Sequence, residues 1–405
     1  MQKHVLMVGR AREVVARTKS LGVRYTQMLK LDPGLTAENL TSYHRVVGLP
    51  AAAGVEEWVA QAKLIHAIDP FDAIGAFTET GEEFAAVIAG EIGLWYHRPE
   101  VIEKTHHKRR MRVALREAGL DDTASRLLDA PGIEAVQAFA AEHGYPVVLK
   151  PVDARGSLGV SVARDAGEVA AALHWFQQWA DGYQLLIEQF LDGDEWSVEA
   201  FSENGRHRIV CITQKFKDPA TFIETGHCLP ARLEPSLEAA IHELVRGTLD
   251  AMGITAGPSH TEIIVTPRGP RVVETHTRLA GDRIVDLIAL LSGVELRQLW
   301  MRQVLGESVI EQVPANLDSG FAAIDFISPR ASGVIERIDG LEQARAHPGV
   351  QRVDLLLAPG AMVGQVHDSF SRGASVIATG ASAGQALERA REASGMIRFV
   401  VSCAG

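Results

Sequence analysis

Cysteine is scarce in this chain, and long apolar runs and an excess of positive charge are missing. The 405 residues include three cysteines, Cys211, Cys228 and Cys403, and none forms a CxxC pair of the kind that zinc and redox sites use. The apolar run at the N-terminus is too short for a signal peptide. No stretch long enough to cross a membrane is free of charged residues. We therefore expect a soluble, cytoplasmic protein with no membrane partner and no need of disulfides.

The charge balance argues against nucleic acid as a partner. Lys and Arg number 40 against 51 Asp and Glu, a net charge of −11, whereas nucleic-acid binders need a basic surface. A local basic pocket could still bind an anionic small molecule. Hydrophobic residues at 46% and charged residues at 22% are ordinary for a globular enzyme, and the length corresponds to two or three domains.

Alternating strands and helices characterise the N-terminal residues, 1–104. We predict strands at 4–8, 43–49 and 71–77, with helices at 11–21, 55–68 and 82–92. This βαβαβ order predicts a parallel sheet covered by helices. The turn after the first strand reads GRARE, which is not the GxGxxG of a dinucleotide site.

The rest of the chain mixes α/β and α+β patterns. A single basic helix is predicted at 99–119 and a hairpin at 259–276, with a turn at its Pro-Arg-Gly-Pro tip. From residue 319 to 405 strands alternate with short helices, which we interpret as a separate α+β unit.

Two lysines and a glycine-bearing turn are the first candidates for chemistry. Lys108 lies in the basic helix, and Lys150 ends an apolar strand just before the segment DARGSLGV. Gly156 and Gly159 of that segment would let backbone N–H groups approach a phosphate, and Ser157 adds a hydroxyl. Taken alone, Lys108 is better explained by a solvated helix face and Lys150 by a lysine that reaches solvent. An ordinary hairpin explains the glycine-bearing turn about as well as a phosphate site does.

Acidic residues at strand ends form the second group. Glu188 ends an apolar strand and Glu195 follows a Gly-Asp turn. An acid at a strand end can bind the amino group of adenine, and a second acid can accept hydrogen bonds from ribose hydroxyls. Two surface acids beside turns would give the same pattern. Glu262 and Glu274 lie on strands joined by a tight hairpin, and pairing can bring them to one face. A hard divalent cation would relieve their repulsion. Arg278 follows, able to face an anion.

Taken in this order, these residues resemble the ATP-grasp superfamily over about residues 100–310. The resemblance implies ATP bound between two subdomains, 105–185 and 186–318, with residues 1–104 similar to the domain that usually precedes them. Members join a carboxylate to an amine through an acyl phosphate. It therefore implies ATP and Mg²⁺, with Mn²⁺ as an alternative ion.

By position, the resemblance implies a nucleotide site in which Lys150 is also catalytic. Its phosphate, adenine and ribose contacts would come from Lys108, Lys150, Gly156, Ser157, Gly159, Glu188, Gln189, Phe190, Leu191, Glu195 and Lys215. The metal ligands would be Glu262 and Glu274. The family usually reads ExNxR, whereas here His276 replaces the asparagine, so His276 is a third candidate ligand for metal or phosphate.

Within the superfamily the chain is most similar to L-amino acid ligases. The segment FIETGHCLPARL resembles their substrate-side loop, which implies that Glu224 binds the donor's amino group and that His227 and Arg278 act at the reacting centre. Gly281 and Asp282 would complete the pocket, with Asp282 paired to a polar or basic substrate or to Arg283.

Two alternatives stay open at this point. One is an ATP-grasp carboxylase of the biotin or purine type, and the other is a nucleotide-binding protein without turnover. The expected partners are small molecules, amino acids or a related carboxylate and amine. Both a monomer and a homodimer stay open.

Overall fold

The computed structural model describes residues 2–31, 41–154, 156–219, 221–315 and 317–402. The predicted parallel N-terminal sheet is confirmed, with strand order β3-β2-β1-β4. Its second strand was not predicted. The elements of this unit are β1 His4–Val8, α1 Arg12–Arg17, β2 Arg24–Lys30, β3 Arg45–Leu49, α2 Val55–Ile68, β4 Ala73–Gly75 and α3 Glu79–Ile92.

The prediction of one basic helix over 99–119 is wrong. The segment forms two helices, α4 Pro99–His106 and α5 Lys108–Glu117, which are separated by His107. His107 has an extended backbone, and its ring accepts a hydrogen bond from the Arg110 N–H, so the side chain caps α5. The break places Lys108 at the start of a new helix, where its backbone N–H bonds the carbonyl of Val152.

A small antiparallel sheet follows, in the order β5-β8-β6-β7. The glycine-bearing turn joins β6 to β7, as predicted, although position 155 lies outside the described residues. Two helices pack their apolar faces on the sheet. The elements are β5 Ser125–Leu128, α6 Ile133–His143, β6 Val147–Pro151, β7 Ser161–Ala163, α7 Val169–Trp179 and β8 Leu185–Gln189.

The centre of the molecule is an eight-stranded antiparallel sheet, ordered β13-β12-β9-β10-β11-β14-β18-β16. Half of the segment 222–233, which was predicted to be a substrate-side loop, is in fact the strand β11, Glu224–Leu229. The elements up to residue 304 are β9 Asp194–Glu203, β10 Arg206–Lys217, β11 Glu224–Leu229, α8 Pro235–Met252, β12 Gly257–Thr266, β13 Gly269–His276, α9 Ile284–Ser292 and α10 Leu296–Val304.

The C-terminal strands continue this sheet, because β14 pairs with β11 and places Ile324 opposite His227. The sheet therefore crosses the predicted boundary between 318 and 319, and the unit boundaries themselves stay predictions. A smaller sheet has the order β17-β15-β19. The elements are β14 Phe321–Ile327, β15 Gly333–Asp339, α11 Leu341–Ala346, β16 Val350–Leu355, β17 Met362–Val363, β18 Ala374–Gly380, α12 Ala383–Gly395 and β19 Arg398–Ser402.

The cysteines and the length of the helices bear on the expectations about disulfides and membranes. Cys211 and Cys228 are buried free thiols, and Cys403 lies outside the described part. Among the helices described, none has the length and apolar character needed to cross a membrane.

A buried ion pair joins the N-terminal unit to the rest of the chain. Glu82 on α3 is fully buried, and its carboxylate lies 2.8 Å from Nε2 of His106 and accepts a 2.7 Å hydrogen bond from the Thr277 hydroxyl. Burial alone would lower the pKa of His106, but the bonds to Glu82 and Glu83 raise it to about 9. The pair is therefore ionic at neutral pH.

This pair predicts a pH-dependent stability. Because the folded pKa of His106 lies above its unfolded value of 6.5, its contribution is complete below that pH and is lost as the pH rises through about 9. We expect this part of the unfolding free energy to be up to about 3 kcal/mol. Urea unfolding of wild type and His106→Gln between pH 6 and 9.5 measures it. The variant should lose that slope, and parallel profiles would contradict the assignment.

Candidate active site

A cavity of about 890 Å³ lies where the N-terminal unit, the small sheet and the central sheet meet. Nearly all the predicted site residues line it, although they are scattered over the sequence. The predicted residues in its walls are Lys108, Lys150, Gly156, Ser157, Glu188, Gln189, Phe190, Leu191, Glu195, Lys215, Glu224, His227, Glu262, Glu274, Arg278, Gly281 and Asp282.

Two predicted residues, Gly159 and His276, are not part of the cavity wall. Gly159 has a φ of +66°, and a Cβ there would lie 2.6 Å from the Cβ of Ala180, so the close approach of the turn to the end of α7 already requires a glycine. His276 instead contacts Glu274, with its Nε2 3.2 Å from the carboxylate. Both roles as direct ligands stay predictions.

A buried ionic triad holds Lys150 at one wall. Glu188, only 3% exposed, lies 2.8 Å from Nε of Arg112 and 2.6 Å from Nζ of Lys150. Burial would raise the pKa of Glu188, but Arg112 and Lys150 lower it to about 2. The pKa of Lys150 is lowered by burial, and the negative charge of Glu188 offsets only part of this effect. The Glu188 carboxylate, predicted to bind adenine, is thus already committed to two cations.

Arg112 was missed at the sequence level, although a signal was present. It lies four residues after Lys108, on the same face of α5. The basic residues around Arg112 also fit a solvated helix face, and this pattern hides a buried arginine. Arg112 is in fact 2% exposed, and its partners include Asp121 as well as Glu188.

Glu262 and Glu274 are direct partners across the β12–β13 hairpin, as the hairpin pattern predicted. The Glu274 carboxylate lies 3.3 Å from Nζ of Lys108, and Glu262 contacts Lys215 and, at 3.3 Å, Nε2 of His260. Burial opposes ionisation of both acids, but the nearby cations hold both pKa values well below the usual range. Two ionised carboxylates side by side are the hard oxygen donors that suit a divalent cation bound together with phosphates.

A second feature was not predicted, namely that Lys215 sits among three carboxylates. Its Nζ lies 3.1 Å from Glu195 and 3.4 Å from Glu224, and it also contacts Glu262. One oxygen from each acid lies within 4.8 Å of the others, and within the described chain this is the only such group of three. The predicted ligand set of Glu262, Glu274 and His276 does not form a comparable group.

Glu224 and Asp282, the two acids predicted to contact the substrate, are both held by the C-terminal part of the chain. The Ser369 hydroxyl donates to Glu224 at 2.9 Å. Arg372 donates two hydrogen bonds to Asp282, at 2.8 and 2.6 Å, and Nε2 of His227 lies 3.1 Å from the same carboxylate. Although burial raises the pKa of Asp282, His227 and Arg372 lower it far below normal.

The predicted internal partner of Asp282 was therefore wrong in identity. Arg283 bonds Asp286 at 3.2 Å and Glu13 at 3.1 Å, and Arg372 takes the place proposed for it. Asp282 and Arg283 both have positive φ angles, of 50° and 64°, so the chain turns sharply here. Arg372 is 90 residues away in sequence, where no local pattern could identify it.

Arg278 is also paired, through a residue of the N-terminal unit. Its Nε donates to Glu79 at 2.6 Å, and its Nη1 donates to the backbone carbonyl of Leu279 at 3.0 Å. Burial would lower the pKa of Arg278, but Glu79 raises it. Glu79 begins α3 and lines the cavity, so the N-terminal unit contributes directly to the predicted reacting centre.

Comparisons with known proteins agree with this architecture. A family model for the ATP-grasp domain matches residues 143–286, and a model for the L-amino acid ligase C-terminal domain 2 matches residues 325–402. An L-amino acid ligase from Bacillus licheniformis has the same fold, with a TM-score of 0.84, 22% identity and 99% of each chain covered.

Two curated relatives were also found. An uncharacterized protein y4rH of Sinorhizobium fredii is 31% identical over 80% of this chain and 68% of its own length. An alanine–anticapsin ligase of Bacillus amyloliquefaciens is 25% identical over 60% of this chain, which spans 56% of that protein. The fold, the two domain matches and the first relative lead to one conclusion: the chain belongs to the ATP-grasp superfamily, in the group that carries the L-amino acid ligase C-terminal domain.

Proposed function

We propose that this chain is an ADP-forming carboxylate–amine ligase that joins the carboxylate of one amino acid to the amine of a second. The observation that carries the proposal is the pairing of Glu262 with Glu274 in a cavity that also holds Lys150 and Glu224. One cavity thus holds two ionised carboxylates for a metal ion, the Lys150 ammonium group for a phosphate, and the Glu224 carboxylate for an ammonium group. These are the elements that acyl-phosphate chemistry requires.

In the first step, an oxygen of the donor carboxylate attacks the γ-phosphorus of ATP, the bond to the β-phosphate oxygen breaks, and ADP leaves. Lys108 and Lys150 would contact the phosphates, and Glu262 and Glu274 would hold a divalent cation. We propose Mg²⁺, with Mn²⁺ as an alternative. When bound, that cation would neutralise part of the negative charge on the phosphates. Gly156 and Ser157 would cover the phosphates, and Gln189, Phe190 and Leu191 would contact adenine.

In the second step, the amine attacks the carbonyl carbon of the acyl phosphate, loses a proton, and phosphate leaves. Arg278 would stabilise the oxyanion, and its hydrogen bond to Glu79 holds the guanidinium at the cavity. His227 would lie beside the departing phosphate, oriented by Asp282. The residues of this chain bind, orient and stabilise charge, and none needs to form a covalent bond.

Amino acids are the proposed substrates because of Glu224. Its carboxylate lines the cavity and has a lowered pKa, since Lys215 and Lys217 oppose the effect of burial, so it can accept a donor's ammonium group. The C-terminal domain match favours this reaction over the carboxylase alternative. The choice between a monomer and a homodimer stays open, and the absence of nucleic-acid or membrane partners stays a prediction.

The nucleotide product tests the proposal. With ATP, Mg²⁺ and pairs of amino acids, we expect ADP and phosphate in equal amounts with a new amide product, because the acyl phosphate forms at the γ-position. Chromatography of the nucleotides and mass spectrometry of the products measure this. AMP with pyrophosphate would contradict the mechanism. Absence of turnover with every pair, in a protein that binds nucleotide, would support the non-catalytic alternative.

A further inference from the structure

A short C-terminal segment, residues 367–372, runs from helix α7, which packs on the β5-β8-β6-β7 sheet, to the substrate side of the cavity. We call it the strap. It lies between β17 and β18 in sequence, and its Ser369, Phe370 and Arg372 line the cavity. The strap therefore belongs to the cavity wall, and none of its residues was predicted from the sequence.

At one end the strap contacts the unit that carries the glycine-bearing turn. The ring of His367 stacks on Trp179 at the end of α7, with centroids 3.9 Å apart and planes within 10°. The Ser369 N–H donates to the carbonyl of Gly156 at 3.2 Å. Phe370, 75% exposed, lies beside Gly156. The strap thus touches both the turn and the helix behind it.

At its other end the strap holds two acids of the substrate side. The hydroxyl of Ser369 donates to Glu224, and the guanidinium of Arg372 donates twice to Asp282. Arg372 is itself fixed, because its guanidinium lies 3.8 Å from the centre of the Phe326 ring and it is 7% exposed. One residue, Ser369, therefore contacts the glycine-bearing turn through its backbone and Glu224 through its side chain.

We infer that the strap positions Glu224 and Asp282 for the donor and couples donor binding to ATP binding at residues 156–160. The inference rests on the proposed function for the identity of the two ligands. Both ligands would bias the position of one physical element, which is what a coupling between two sites requires. Ser369 acts as a positioning residue, because its hydroxyl orients the Glu224 carboxylate.

Hydrogen exchange with Mg²⁺·AMP-PNP tests the coupling. In the full chain we expect slower exchange at residues 156–160 and also at the strap. Slower exchange at 156–160 alone would overturn the inference while leaving the proposed ATP site intact. No change at either segment would contradict the ATP site and, with it, the inference. In His367→Ala, which removes the stack on Trp179, protection of the strap should fall while that of 156–160 remains.

Steady-state kinetics test the positioning of Glu224, with the amino acid pair that gives the fastest ADP release. Ser369→Ala should raise the KM for the donor about tenfold, and it should leave the KM for ATP and kcat within about twofold. Ser369→Thr, which keeps a hydroxyl, should restore the donor KM. The matched control is Ser371→Ala, since the Ser371 hydroxyl donates to Asp368, which is itself part of the strap. Equal effects of the two alanine variants, or an unchanged donor KM in Ser369→Ala, would overturn the positioning role.

Discussion

Glu274→Gln is expected to lower kcat by at least about 1,000-fold, which corresponds to roughly 4 kcal/mol of lost transition-state stabilisation. Glutamine keeps the size of the side chain but removes the negative charge that a divalent cation needs. It also leaves Lys108, 3.3 Å away, and His276, 3.2 Å away, without their anion. Chemistry should therefore be lost while the hairpin keeps its packing.

The measurement is ADP release as a function of Mg²⁺ concentration, together with thermal unfolding. The matched control is Glu203→Gln, because Glu203 lies at the end of β9 and accepts hydrogen bonds from the backbone of Val309 and Ile310 away from the cavity. That control is expected to lose some stability and little activity. A Glu274→Gln protein with normal kcat and an unchanged unfolding temperature would refute the metal role.

The placement of Glu262 and Glu274 was predictable because it depends on local structure. The two acids belong to adjoining strands of one tight hairpin, and pairing alone puts them opposite each other. The same holds for the glycine-bearing turn, which directly joins two paired strands. Where the position of a site residue depends on residues close to it in sequence, the pattern of residue types was enough to predict that position.

The strand β2 was missed for a physical reason. Its sequence, RYTQMLK, places polar residues where a parallel strand is normally apolar. In the structure Thr26 and Gln27 are buried. The Thr26 hydroxyl lies 2.8 Å from Nε2 of His4, and the side-chain amide N–H of Gln27 donates to the Met7 carbonyl. A buried polar residue with a partner cannot be distinguished in sequence from an exposed one without knowing that partner.

The strand β11 was missed because of Gly226. A glycine beside polar residues favours a loop at the sequence level. In the structure a Cβ at Gly226 would lie 2.6 Å from the carbonyl oxygen of Ile324 on β14, so close approach of the two strands explains the glycine. Glu79 and Arg372, which complete the site, likewise depend on contacts between distant segments.

Lys215→Met is expected to be the most destabilising substitution in the cavity. The ammonium group lies among Glu195, Glu224 and Glu262, and the side chain is 3% exposed. The pKa of Lys215 is well above normal because, although burial opposes its charge, the three acids favour it. Removing it leaves three carboxylates whose oxygens lie within 4.8 Å of one another. Loss of one partner of a buried ionic group costs about 3–5 kcal/mol, and we expect a loss of that size.

Urea unfolding at pH 7 and ADP release measure the two consequences. The matched control is Lys217→Met, because Lys217 also contacts Glu195, at 2.6 Å, but its side chain is 20% exposed, so its loss should cost less. Adding Glu224→Gln to Lys215→Met removes one of the repelling charges and should recover part of the stability. Activity should stay absent, because Glu224 is the proposed ammonium acceptor. If Lys215→Met unfolds like wild type, the three acids do not depend on this lysine, and its position among them is not an energetic requirement of the fold.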